Sequence, residues 1–271
     1  MIHYIHPHLA AMRSEIKVIL VGAGGTGSHL LGGLATIHHA MLELGYSHGL
    51  DVTVFDGDTV SPSNIGRQKF APCDIGLHKA SVLVNRCNLT LGTRWKAKVE
   101  LVTKSTRLDA DIIIGAVDTR KARAAIIAAG TTHYLSQRPY YLDCGNRSDD
   151  GQICLGEIAS PNARPDPNRL PHIGDLYPDI LDESLDAEDD APSCSMAEAL
   201  EKQSLFINST IANCAMNILW ELLRHGQIKH HGMFVNIKSG RTTPLAVDPD
   251  TWKRIGYKAP KVRKPRQKKV A

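Results

Sequence analysis

The sequence predicts an α/β domain built on a doubly wound, mainly parallel sheet. Three observations carry that reading. Short β-branched runs alternate with stretches of helical apolar spacing along residues 17–143. A glycine-rich loop, Gly22-Ala23-Gly24-Gly25-Thr26-Gly27, joins the first such run to the first helical stretch. Past Gly151 the alternation gives way to a strand-like segment, a long Pro- and acid-rich stretch and one further helical pattern.

The elements follow in order. Lys17, Val18, Ile19, Leu20 and Val21, bounded by Gly22, read as a strand buried on both faces. Residues 29–43 carry Leu30, Leu31, Leu34, Ile37 and Leu42 at roughly helical spacing. A second strand at 52–55 ends on Asp56, and residues 76–91 (Leu77, Ala80, Leu83, Val84, Cys87) read as a helix. Residues 95–102 alternate like a strand, and 111–117 form the clearest central strand. An Ala-rich helix at 120–129 and a strand at 140–143 complete the alternation, which is that of a sheet with helices on both faces. Residues 152–158 read as a strand that leaves the parallel set. Residues 161–192 look like a long loop or crossover, and such loops are commonly functional or mobile. Residues 197–223 read as a long helix or helix pair with an apolar stripe of Ile207, Ile211, Cys214, Ala215, Ile218, Leu219 and Leu222, and 234–237 as a last strand.

Composition narrows the class. At 271 residues, with 42% hydrophobic and 22% charged content, the chain can bury a sizeable core as one large domain without disulfides or metal. Six cysteines lie scattered with no C-x-x-C pair, so a zinc ribbon has no ligand pattern. The start, Met1-Ile2-His3-Tyr4, lacks a signal-peptide pattern, and reduced thiols in a cytoplasm are the expectation. Residues 203–220 carry no formal charge, but Gln203, Asn208, Asn213 and Asn217 suit a buried helix rather than lipid, so no membrane association is expected. The net charge of +4 comes from the end of the chain. Lys258, Lys261, Arg263, Lys264, Arg266, Lys268 and Lys269 lie there without an acid, and the rest holds 25 basic against 28 acidic residues. Nucleic-acid attraction is therefore confined to residues 258–271, which read as a basic, disordered tail. The pairs His38-His39 and His230-His231 read as surface residues, because adjacent side chains on one element diverge too far to share a metal.

Gly22, Gly24 and Gly27 satisfy G-x-G-x-x-G between a strand and a helix. Glycines there let the backbone turn tightly and approach a phosphate, with helix N-terminal amides facing the anion. Asp56, ending the next strand, is placed for ribose hydroxyls. The loop by itself leaves NAD and ATP open. Asp56 lies 29 residues past Gly27, a delay that an insertion around residues 38–50 would explain, since the spacing in dinucleotide sites is about 20.

Further motifs follow in series. Asp56-Gly57-Asp58-Thr59-Val60-Ser61-Pro62-Ser63-Asn64-Ile65-Gly66-Arg67-Gln68 is succeeded by Ile75-Gly76-Leu77-His78-Lys79 and then by a strand ending Val117-Asp118. This ordered set, spread over residues 17–123, resembles the ThiF/MoeB superfamily of adenylating enzymes that activate ubiquitin-like proteins. The resemblance implies a Rossmann-like sheet extended by antiparallel strands, in a single adenylation domain over residues 1–257. Its nucleotide-binding part would span about 14–145, and its crossover and helical or antiparallel part about 146–257. It implies ATP and Mg2+ as cofactors. Gly22, Gly24, Gly25 and Gly27 would form the loop, and Asp56 would hold the ribose. Asn64, Arg67 and Lys79 would contact phosphates, Gln68 would line the pocket, and Asp118 would bind magnesium. Taken singly, Arg67 and Lys79 would pass for solvated charges and Asp118 for a helix N-cap. Asp58 reads as a turn acid.

In relatives an acyl-accepting cysteine precedes a long helix, in a segment resembling Pro192-Ser193-Cys194-Ser195-Met196-Ala197. Cys194 is thus the candidate nucleophile, with a packing role as the alternative. A helix start would lower its thiol pKa and the acids of 182–190 would raise it. Cys73, Cys87, Cys144, Cys154 and Cys214 read as buried small hydrophobes. Many relatives begin R-Y-x-R-Q and reach the partner subunit's ATP with an arginine; here Arg13 stands alone before the first strand, without a clear counterpart.

Residues 21–31, 64–70 and 192–196, with the basic end, are similar to the ThiF-related proteins of plasmid-associated PRTRC cassettes. That likeness implies a small ubiquitin-like partner ending in glycine and a JAB-type peptidase alongside. The apolar helix around Ile207, Ile211, Ile218 and Leu222, with the family's habit, predicts a C2 homodimer. The expected function is ATP-dependent adenylation of the partner's C-terminal carboxylate, with a thioester if Cys194 is the acceptor. Three alternatives stay open. The basic tail motivates a tRNA-modifying adenylating dehydratase of the same superfamily. The glycine loop permits an NAD-dependent oxidoreductase, which would leave Arg67, Lys79 and Asp118 without a task. The missing N-terminal arginine motivates a non-catalytic ATP-binding scaffold of a plasmid-maintenance system.

Overall fold

The computed structural model describes residues 1–11, 13–131, 138–160, 165–186 and 203–259. Its elements are β1 (His3–Tyr4), α1 (Pro7–Ala10), β2 (Ile16–Val21), α2 (Gly25–Glu43), β3 (Leu50–Phe55), α3 (Lys79–Leu91), β4 (Lys96–Lys98), β5 (Ile112–Gly115), α4 (Arg120–Thr131), β6 (Tyr140–Asn146) and β7 (Asp150–Glu157). They continue with α5 (Ile173–Leu176), α6 (Ile207–His225), β8 (Gln227–Ile228), β9 (His230–Asn236), β10 (Arg241–Ala246) and α7 (Pro249–Arg254).

The eight-stranded sheet runs β10-β9-β7-β6-β5-β2-β3-β4. From β4 to β6 the pairing is parallel; from β6 to β10 it is antiparallel. The doubly wound expectation and the antiparallel extension after Gly151 both hold. Ile112, Ile113 and Ile114 of β5 have no exposed surface, as a strand covered on both faces requires. Each such side chain contributes about 1.5–3 kcal/mol by leaving water. Right-handed crossovers put α2 and α3 on one face and α4 on the other.

Several boundaries differ from the sequence expectation, each for a tertiary reason. Helix α3 starts at Lys79 rather than residue 76, because Gly76 N and Leu77 O are tied to Val60 across a turn. Strand β4 is three residues long and lies at the sheet edge. The expected helix over 197–223 begins, within the described residues, only at Ile207: Ser204 N donates to Ser148 O at 3.0 Å, outside any helix. The strand around 234–237 is not the last. Strand β10 pairs with it as a hairpin, and Pro244 masked it in sequence because proline in a strand is tolerated at an edge such as this.

The apolar stripe of α6 is spent inside the chain. Ile207, Ile211, Ile218 and Leu222 are fully buried, with the helix packed on α2, β6, β7 and β9. They therefore offer no surface for a second copy, and the sequence argument for a dimer loses its basis. Among the described residues no helix is long and apolar enough to cross a membrane.

Two histidine readings also change. His38 is half-buried, and its Nδ1 accepts a hydrogen bond from Leu50 N at 2.9 Å. His231 is completely buried and structural. Its Nδ1 lies 2.6 Å from the Leu155 carbonyl and its Nε2 lies 3.0 Å from the Trp252 indole nitrogen. A carbonyl only accepts and an indole N–H only donates, so the proton sits on Nδ1 and the ring is neutral. The N-terminal segment is pinned in a related way, with His3 on the Tyr140 hydroxyl, His6 on Glu157 and His8 on Asp111.

Burial lowers the His231 pKa from 6.5 to about 4. Across that range the unfolded chain binds a proton that the folded chain refuses. The contribution is therefore complete above about pH 6.5 and is lost as the pH falls towards about 4, a total of up to about 3 kcal/mol. The urea midpoint should fall more steeply over this window in the wild type than in His231→Gln; parallel profiles would rule this origin out.

Candidate active site

The site is built on the corner where β2 becomes α2. Gly22 N donates to Phe55 O at 2.9 Å and Ala116 N donates to Val21 O at 2.8 Å, so the corner is clamped between β3 and the end of β5. Gly22 has φ +94°, a conformation that favours glycine. A Cβ on Gly27 would overlap the Gly22 carbonyl, whereas one on Gly24 would meet nothing within 4 Å. Gly24 therefore borders open space, and Gly27 is the close-packing position beneath it. Asp56 closes the corner. Its Oδ2 accepts from Ala23 N at 2.6 Å and its Oδ1 from Asp58 N at 2.8 Å. Burial pushes the Asp56 pKa up, against the pull of those amides and of Lys79.

Above this corner lies a cleft of about 1890 Å³. It opens between the carboxyl ends of β2 and β5, where the strand order diverges, as ligand crevices in such sheets do. Gly22, Gly24, Gly25, Asp56, Asn64, Arg67, Gln68, Lys79 and Asp118 all line it; Gly27 lies under the floor. Asn64 is held by its Oδ1, which accepts from Ser61 N at 2.9 Å. Gln68 is buried, and its Oε1 has no donor. Arg67 donates to Ser63 O at 3.3 Å and Gln203 Oε1 at 3.1 Å, with no carboxylate partner among the described residues. Burial lowers its pKa. Lys79 Nζ donates to Asp58 Oδ2 at 2.8 Å, so Asp58 is the counter-ion of this lysine as well as a turn acid. Asp118 is exposed at the start of α4 without being its N-cap: Thr119 Oγ1 accepts from Ala122 N at 3.1 Å and fills that role.

Cys194 and its neighbours at 192–196 lie outside the described residues. Of the other thiols, Cys144 and Cys154 are buried, with burial pushing both pKa values well up; Cys87 and Cys214 are half-buried. Cys73 is exposed, contrary to its sequence reading, because it sits on a surface turn beside Asp74.

Among the described residues no group of three or more His, Cys, Asp or Glu could hold a metal by itself. Asp118 is the cleft carboxylate without a hydrogen-bond or ion-pair partner among them, since Asp56 holds two amides and Asp58 holds Lys79. One carboxylate with phosphate oxygens and water is a donor set that suits Mg2+, so the residues fit a metal arriving with a nucleotide.

Three features escaped the sequence reading. A chain of side-chain hydrogen bonds joins the glycine corner to Arg67: Thr26 to Asn146 at 2.9 Å, Thr26 to Asn208 at 3.1 Å, then Asn208 to Gln203 at 2.9 Å. Asp186, from the acidic stretch, caps α4 by accepting from Arg120 N at 2.8 Å and Lys121 N at 3.0 Å. Nearby, Lys104 reaches Glu183 at 3.2 Å, so residues 178–186 are fastened across the cleft rim. Third, Arg123 forms a buried pair with Asp143. The one signal for it was an acid inside an otherwise apolar strand.

Fold and cleft together define a Rossmann-like α/β protein with an anion-binding glycine corner. The chain belongs to the ThiF family, whose model matches residues 5–249. No curated protein matches the sequence at a significant level. Among solved structures the chain is similar to PaaA, with 14% identity and a TM-score of 0.56 over 89% of this chain and 67% of that one. Escherichia coli MccB solved with ATP gives 15% identity and a TM-score of 0.56 over 88% and 66%, and its complex with MccA-N7isoASN gives 14% and 0.56 over the same shares. These likenesses establish the fold, and the chain spans about two thirds of the length of those proteins.

The two glycines should separate by experiment. Gly24→Ala should leave stability within about 0.5 kcal/mol of wild type while weakening nucleotide binding at least about tenfold. Gly27→Ala should cost about 1–3 kcal/mol in thermal or urea unfolding. Unchanged nucleotide affinity in Gly24→Ala would mean that no phosphate approaches this loop.

Proposed function

We propose that this protein adenylates a carboxylate at the expense of ATP, and that the carboxylate is the C-terminal glycine of a small ubiquitin-like protein or peptide. The observation that carries the reading is the meeting of Arg67, Lys79 and the unpaired Asp118 with the glycine corner in one cleft. A dinucleotide oxidoreductase has no use for two cations and a spare carboxylate there. The cleft's volume is also larger than the 300–1,000 Å³ of an ordinary small-ligand site, which suits a nucleotide with a second substrate beside it. MccB, of the same fold, has been solved with ATP and with MccA-N7isoASN, and that pairing supports extending a nucleotide and a peptidic ligand to this chain.

In this reading a carboxylate oxygen attacks the α-phosphorus, the bond to the bridging oxygen breaks, and pyrophosphate leaves. The nucleophile arrives ionised, so no general base is required. The protein's task is positioning and charge neutralisation. Asp56 holds the ribose, Asn64 orients the nearby loop, and Arg67 and Lys79 exchange Gln203 and Asp58 for phosphate oxygens. Magnesium, when bound at Asp118, supplies further neutralisation of the triphosphate. Cys194 is the proposed acceptor in a following step: its thiolate attacks the acyl carbon, AMP leaves, and a thioester forms.

Pyrophosphate–ATP exchange should require the peptide partner and fall by about 10²–10³ in Arg67→Ala or Asp118→Ala. Wild-type rates in either variant, or calorimetry showing binding of NAD but not of ATP, would overturn the assignment. Cys194→Ala should keep exchange and lose a reductant-sensitive conjugate with the partner; a conjugate that survives would exclude Cys194 as acceptor.

A further inference from the structure

Behind the cleft wall lies a charged cluster that the adenylation reading leaves without a task. Arg123 stands in the first turn of α4, and Asp143 stands in the middle of β6. Arg123 is 5% exposed and Asp143 not at all. Arg123 Nε donates to Asp143 Oδ1 at 2.6 Å and its Nη2 donates to the Val117 carbonyl at 3.2 Å. The Tyr141 hydroxyl donates to the same Asp143 oxygen at 2.9 Å, while Asp143 Oδ2 has no donor.

Stability gives no reason for this arrangement. A buried ion pair is often no better than apolar packing of the same volume. A cation in the first turn of a helix faces the positive end of the macrodipole. A buried carboxylate oxygen without a donor adds a further cost. Strand β6 otherwise buries Tyr140, Leu142 and Cys144, so an apolar residue at 143 would suit its surroundings. Burial opposes the charge on Arg123, yet Asp143, Tyr141 and, more weakly, Asp118 outweigh it and raise its pKa. What the cluster does secure is a backbone position. The Val117 carbonyl belongs to the peptide that leads into Asp118, at the corner where β5 passes into α4.

We propose that Arg123, braced by Asp143 and Tyr141, is a positioning residue that fixes the corner at Val117 and Asp118, and so aims the Asp118 carboxylate at the metal–triphosphate group in the cleft. The proposal rests on the adenylation reading for the identity of that group. Side chains that orient a metal-binding residue from behind commonly set affinity or activity by about 10–100-fold.

The test is the double variant Arg123→Met/Asp143→Leu, which removes both charges together and strands neither. In the full-length protein, calorimetry with AMP and no metal should give an affinity within about twofold of wild type, because the glycine corner and Asp56 are untouched. The gain in ATP affinity on adding Mg2+ should fall by about 10–100-fold. Asp118→Ala should lose the same gain, and combining it with the double variant should lower the gain no further, which a purely structural role would not produce. If the double variant fails to fold, Arg123→Lys carries the same titration, since it keeps the cation but loses the planar fork that spans two acceptors. A folded variant that keeps the Mg2+ gain, AMP affinity that falls in step with ATP affinity, or a wild type indifferent to Mg2+ would each overturn the proposal. Absence of pyrophosphate exchange in the wild type would end the adenylation reading instead, leaving the Mg2+ titration to judge Arg123.

Discussion

The rest of the structure depends on how closely the backbone of β2 approaches the first turn of α2. Gly27 has no room for a side chain against the Gly22 carbonyl, so the helix N-terminus is drawn onto the end of the strand. That closeness leaves the first amides of α2 facing the cleft and puts Ala23 N within 2.6 Å of the Asp56 carboxylate. A corner that admitted a Cβ would separate strand from helix and open the cleft floor. The neighbours follow from it, because Phe55 and Val21 carry the backbone bonds that tie β3 and β5 to the same point.

Around the corner, the cleft's charges are held by modest partners. Lys79 rests on Asp58, a largely exposed acid, and Arg67 on the neutral amide of Gln203. Neither partner competes strongly with a phosphate, since exposed ion pairs are worth little and an amide brings no charge. The side chains are thus ordered without being committed. The acids of residues 178–186 are arranged differently: Asp186 satisfies two amides of α4 and Glu183 meets Lys104, so their charge is taken up at the rim rather than projected into the cleft.

A second theme is polar burial away from the glycine corner. His231, the Arg123–Asp143 pair and the Thr26–Asn208–Gln203 chain each place hydrogen-bonding groups where apolar residues would pack as well. Such groups specify geometry more than they add stability, because each is satisfied in only one arrangement of its neighbours. Two of the three converge on the cleft, one through Arg67 and one through the turn before Asp118.

The alternation of strand and helix, the glycine corner, and the set Asp56, Asn64, Arg67, Gln68, Lys79 and Asp118 were all legible from the sequence. Parallel sheets bring the carboxyl ends of their strands together, so residues just past those ends share a cleft once the topology is doubly wound. What the sequence left open was decided by long-range contacts. Pro244 hid β10 until an edge position made proline tolerable, and the stripe of α6 looked like a dimer surface until α2 and the sheet covered it. His231 passed for a surface residue until Leu155 and Trp252 enclosed it from distant parts of the chain. Arg123 and Asp143 carry no local pattern, because the charge of one has meaning only beside the other, 20 residues away in sequence and 2.6 Å away in space. Periodicity and loop chemistry are local properties and can be read from a string of residues; the partner of a buried polar group is set by the packing of the whole sheet.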